Sequence, residues 1–63
     1  MADVITNADK LACAKRELKF RQHIYAKRVE EGKMSAGKAA HEIACIEAII
    51  EDYEVIVSGD RLL

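Results

Sequence analysis

Ala39, Ile43, Ile46, Ile50, Tyr53 and Val57 recur at intervals of four, three, four, three and four residues. That spacing places six apolar side chains along one side of an α-helix, in the manner of a heptad seam. Ile49 and Ile56, seven residues apart, stand beside the seam and widen it beyond what contact with a single helix uses. Upstream, Leu11, Leu18 and Tyr25 are also seven apart, with Ala14 and Val29 on the same side. Cys13, Phe20 and Ile24 form a second stripe about half a turn round, at roughly 100° per residue. One neighbouring helix covers one stripe; the second requires another occupant.

The punctuation between the stripes is sparse, with three glycines and no proline, so the elements are expected to be few and long. Thr6 is placed as an N-cap with Asp9 three residues on, a variant of the capping box with Asp where Glu is preferred. From Asn7 to Glu31 the residues are mostly good helix formers. Gly32 follows at the position of a helix C′ residue, where a left-handed conformation is usual. Ser35 is the expected N-cap of a second helix, without a box because Lys38 occupies the third position. Ser58 and Gly59 are expected to end that helix near Val57, leaving residues 60–63 as a tail and residues 1–5 as a short lead. The reading is a single all-α domain over 1–63: helix one about 7–31, turn 32–35, helix two about 36–57, folded as an antiparallel hairpin. In that register Leu18 faces Ile49 and Ile50, Leu11 faces Ile56 and Val57, and Tyr25 faces Glu42 and Ile43. Arg16 is expected beside Glu51, Lys15 beside Asp52, and Arg21 near Ile46 and Glu47.

Size adds a demand. A chain of 63 residues buries only about 60% of its unfolded surface, and such domains usually rely on disulfides, a metal or a second copy. With 51% hydrophobic residues, disorder is excluded. The second apolar stripe and the size argument together predict a homodimer in a four-helix arrangement, with Phe20, Ile24, Ile49 and Ile56 at the interface.

The net charge of −1 hides a division. Between Lys10 and Arg28 there are seven bases and one acid; between His41 and Asp60 there are six acids and no Lys or Arg. The two halves are expected to neutralise each other side by side. Met1-Ala2-Asp3-Val4 lacks the basic and apolar regions of a secretory leader, and no apolar run approaches the ~20 residues of a membrane span. Two cysteines do not make a secreted disulfide framework. The expected setting is the cytoplasm, with no membrane partner.

Candidate chemistry is thin. His41 and Cys45 share a helix face, and adding His23 and Cys13 would make the four N/S ligands of structural zinc. However, the hairpin register sets Cys13 about ten residues away along the axis, ~15 Å at 1.5 Å per residue, so no metal site and no cofactor is expected, and no intrachain disulfide; Cys13 and Cys45 read as small helix residues and the two histidines as surface groups. A nucleophile with an adjacent base in a cleft is missing, and Gly32-Lys33-Met34-Ser35 lacks the strand and first glycine of a phosphate loop. The chain reads as a non-enzyme. Lys19, Gln22, His23 and Lys27 are candidate partner-binding residues on helix one. Their polarity admits a small dimeric DNA-binding regulator as the alternative, against which stand the acidic second helix and a pI near 6.1. A purely structural subunit is the third reading.

Arg16-Glu17-Leu18-Lys19-Phe20-Arg21, Tyr25, Val29, Gly32-Lys33-Met34-Ser35, Ala39-Ala40-His41-Glu42-Ile43 and Ile46-Glu47-Ala48-Ile49-Ile50-Glu51-Asp52-Tyr53 together resemble a pattern found in short, mostly uncharacterised proteins of tailed phages and prophages. The resemblance covers residues 16 to 53 and consists of core, turn and cap positions. It implies an early-region accessory protein that binds and inhibits or redirects a host protein inside the host cell.

Overall fold

The computed structural model describes residues 4–61, and among them the chain is two helices, α1 (Asn7–Glu30) and α2 (Ala36–Arg61). The outermost lead and tail residues, 1–3 and 62–63, lie outside the described residues.

Each helix end has a specific closure. Thr6 Oγ1 accepts the Asp9 backbone N–H at 3.0 Å, and Asp9 Oδ2 accepts the Thr6 backbone N–H at 3.0 Å. The Asp variant of the capping box is therefore fully formed. Those bonds, the backbone one foremost, hold the Asp9 carboxyl below the ordinary carboxylate range. At the other end Gly32 takes φ 73°. Its N–H donates to the Val29 carbonyl at 3.1 Å, and the Lys33 N–H donates to the Arg28 carbonyl at 2.8 Å. This crossed pair is a Schellman closure, and it reverses the chain in a few residues. Ser35 Oγ then accepts the Lys38 N–H at 3.1 Å and starts α2.

The helices lie antiparallel around a small core of Ala14, Ile46 and Ile50, with Leu11 and Leu18 packed against it. Ala39 and Val57 extend the buried line of α2 in both directions. The 4-3-4-3-4 seam thus faces α1 as expected: four of its six members are buried, and Ile43 and Tyr53 are half-buried.

Two expectations need correction. First, α2 does not stop near Val57 but continues through Ser58 and Gly59 to Arg61. Gly59 keeps a negative φ, and Asp60 is held by the Asn7 side-chain amide at 3.2 Å. Poor helix propensity at two positions is a weak influence once the surrounding turn is anchored. Second, the anticipated ion pairs between the helices do not form. Among the described residues the ion pairs are Arg21–Glu17 within α1 and Lys33–Glu31 at the turn. Lys15 borders the same surface hollow as Glu54, a position further along α2 than Asp52. Arg21 reaches the Glu42 carbonyl at 2.9 Å, one turn from the expected Ile46. Long exposed side chains gain too little from surface pairing to dictate the register; the apolar seam dictates it.

The result is a single layer. The Cα trace measures 47 × 28 × 12 Å, with a radius of gyration of 14.7 Å, against about 11 Å for a compact domain of this length.

Candidate functional site: an uncovered apolar face

A layer of two helices has two broad faces, and this one is strongly unequal. On one face a groove of about 560 Å³ runs between the helices, bordered by Ile5, Cys13, Ala14 and Ile46 and by the charged Asp9, Lys10, Arg16 and Glu17. It exists because α1 offers small side chains, Cys13 and Ala14, where α2 offers Ile46. Cys13 and Phe20 are seven residues apart and project alike; Ile24 follows Phe20 by one turn. On α2, Ile49 and Ile56 stand on the groove side of Ile46. All four residues expected at a dimer interface therefore share this face. Phe20 is 57% exposed, Ile49 45% and Ile56 42%, while Ile24 is half-buried. Ile5, ahead of α1 and 62% exposed, extends the same apolar surface and was not singled out by periodicity, because a residue outside a helix belongs to no stripe.

The opposite face carries Leu11, Lys15, Glu54, Val57, Ser58 and Arg61 around a polar hollow. Two basic groups, Lys15 and Arg61, and one acidic group, Glu54, intermix there.

The four expected partner-binding residues are all exposed, but they do not form one patch. His23 and Lys27 follow Phe20 by three and seven residues and rim the apolar face. Lys19 and Gln22 follow Lys15 by four and seven and belong with the polar face. Helical spacing already contains this separation once the direction of the core is known.

Two polar contacts brace the groove. Lys10 Nζ lies 5.8 Å from the centre of the Tyr53 ring, a cation–π contact worth about 0.5–1 kcal/mol at an exposed site. Arg21 is gripped by Glu17 Oε1 at 3.0 Å and by the Glu42 carbonyl. The Glu17 bond, foremost, pushes the guanidinium pKa further up, so Arg21 stays charged.

Both cysteines are free thiols. Cys45 Sγ faces His41 Nε2 at 3.5 Å, and with Glu42 they form a group whose candidate donor atoms all lie within 4.8 Å of one another. No described helix is long and apolar enough to cross a membrane.

No protein-family model matches the chain, and no curated protein or solved structure shows significant similarity to it. The likeness to short phage proteins accordingly rests on the residue pattern alone.

Proposed function

We propose that this chain is a non-enzymatic accessory protein of the phage type, acting in the cytoplasm of a host cell. In this reading it pairs with a second copy through its apolar face into a four-helix arrangement, and the dimer binds and inhibits or redirects a host protein. The observation that carries the reading is the uncovered face of Phe20, Ile24, Ile49 and Ile56. Its extent can be weighed. The chain exposes 5022 Å², whereas a folded monomer of 7.0 kDa is expected to expose about 4000 Å². The excess, about 1000 Å², is close to the ~800 Å² that each partner buries in a standard stable interface. Self-pairing through a two-fold axis is the commonest way for such a surface to close. A dimer leaves His23 and Lys27 at its rim and Lys19 and Gln22 on its outside, free for a second protein.

A DNA-binding regulator is the less favoured reading, because Glu54 borders the same hollow as Lys15 and an interspersed acid opposes phosphate.

Sedimentation equilibrium near micromolar concentration tests the pairing, with a dimer expected; a folded 7.0 kDa monomer would refute it. Host-protein capture and DNA retention, measured in parallel for the unmodified chain and for Lys19→Glu with Lys27→Glu, test the target. Capture lost on charge reversal, with no DNA retention by either form, supports the inhibitor. Salt-sensitive DNA retention abolished by the reversal supports the regulator instead.

A further inference from the structure

We propose that His41, Glu42 and Cys45 form a mononuclear site for a thiophilic divalent ion, Zn²⁺ in the first instance, at the turn-ward end of the apolar face. This inference needs no host partner.

The argument begins with distance. Zinc binds imidazole nitrogen at about 2.0–2.1 Å and thiolate sulfur at about 2.3 Å; at a tetrahedral angle the two donors are then ~3.5 Å apart. His41 Nε2 and Cys45 Sγ stand 3.5 Å apart. A hydrogen bond between thiol and imidazole, its direction set by the ring tautomer, is compatible with that approach. On binding, the thiol proton leaves to solvent as the sulfur becomes a thiolate ligand.

The second element is the third donor. His41 and Cys45 are one turn apart on a continuous helix, and the Glu42 carboxylate falls within the same 4.8 Å group. Three donors within five consecutive residues of α2 require no loop to be ordered before binding. Arg21, which reaches the Glu42 carbonyl, is held by Glu17. The donors are also accessible: His41 is exposed, and Glu42 and Cys45 are half-buried. Thiolate with imidazole favours zinc over magnesium or calcium, which prefer all-oxygen shells. Three protein donors leave a fourth position for water.

This set differs from the four-residue arrangement weighed in the sequence. It dispenses with His23 and Cys13, whose offset along the hairpin argued against zinc, and draws all its donors from one helix.

The test uses the full reduced chain. Co²⁺, a spectroscopic stand-in for zinc, is titrated in, and Zn²⁺ is then used to displace it. The expected result is one ion per chain, a thiolate-to-cobalt charge-transfer band, and release of a proton. Cys45→Ser should remove the band, and His41→Ala should weaken binding by more than about 100-fold, beyond the 10–100-fold typical of losing a mere supporting residue. Glu42→Gln should weaken it by at least roughly 10-fold. Cys13→Ser should leave it unchanged. All four positions are at least partly exposed, so helical content by circular dichroism should match the unmodified chain and confirm that each variant folds. The proposal is overturned by an absence of saturable binding, by a band that survives Cys45→Ser or disappears with Cys13→Ser, by full affinity in Glu42→Gln, or by half an ion per chain.

Discussion

Gly32 is the residue on which the hairpin turns. Its φ of 73° is the single positive value among the described residues, and a side chain there would meet nothing within 4 Å. The cost of substitution is therefore backbone strain without steric overlap. Gly32→Val should destabilise the chain by about 1–3 kcal/mol, with Gly32→Asn appreciably milder because Asn tolerates the left-handed region; urea melts of the two variants check the order. Gly59 is the opposite case. Its φ is not positive, it lies inside α2, and a Cβ there also meets open space. Gly59→Ala should stabilise by up to about 1 kcal/mol, whereas a helix that stopped at Val57 with Gly59 as its left-handed closure would be weakened by the same change.

At the scale of the helix, the capping box makes stability depend on acid. Asp9 has a lowered pKa in the folded chain because its ionised form accepts the Thr6 N–H. Its contribution is thus present in full above the ordinary carboxylate pKa and fades as the pH falls through the lowered folded value. The gap in stability between the unmodified chain and Asp9→Asn should be widest near neutrality and close on acidification below that range. Thermal melts across the pH series check the sign; a gap that widens in acid contradicts it. In the seam between the helices, Ile46 is 6% exposed and packs in the core with Ala14 and Ile50. Ile46→Ala should cost about 2–3 kcal/mol, the low end for such a truncation, because the groove beside it already admits solvent. Ile46→Asp should exceed this and unfold the chain, since nothing in the core pairs with a carboxylate.

For the molecule as a whole, the question is how a one-layer hairpin with no fully buried large side chain among the described residues remains folded. The proposed pairing would answer it by mass action: a face that binds only in the folded form stabilises that form more as concentration rises. Phe20→Asp and Ile49→Asp should therefore lower the melting temperature and, unlike the unmodified chain, show no dependence of melting temperature on protein concentration. Val55→Asp, at a side chain 70% exposed and directed away from the groove by its helical position, should leave both behaviours intact.

Helix type, turn and caps were determined by the sequence alone. Thr6, Gly32 and Ser35 act within three or four residues of themselves, and the 4-3-4-3-4 seam needs only the helical period to declare its buried side. The uncovered stripe could be named for the same reason: periodicity assigns a direction to every helical residue. Tertiary structure decided what depends on two elements at once. The end of α2 moved to Arg61 because Asn7, more than fifty residues earlier, holds Asp60. Arg21 settled on Glu42 and Lys15 came near Glu54, because side-chain packing sets the stagger between helices while exposed charges merely accommodate to it. The division of Lys19 and Gln22 from His23 and Lys27 followed from the side on which α2 docks. Even the approach of His41 to Cys45, legible as a four-residue spacing, became a 3.5 Å contact only through side-chain rotamers, which spacing does not specify.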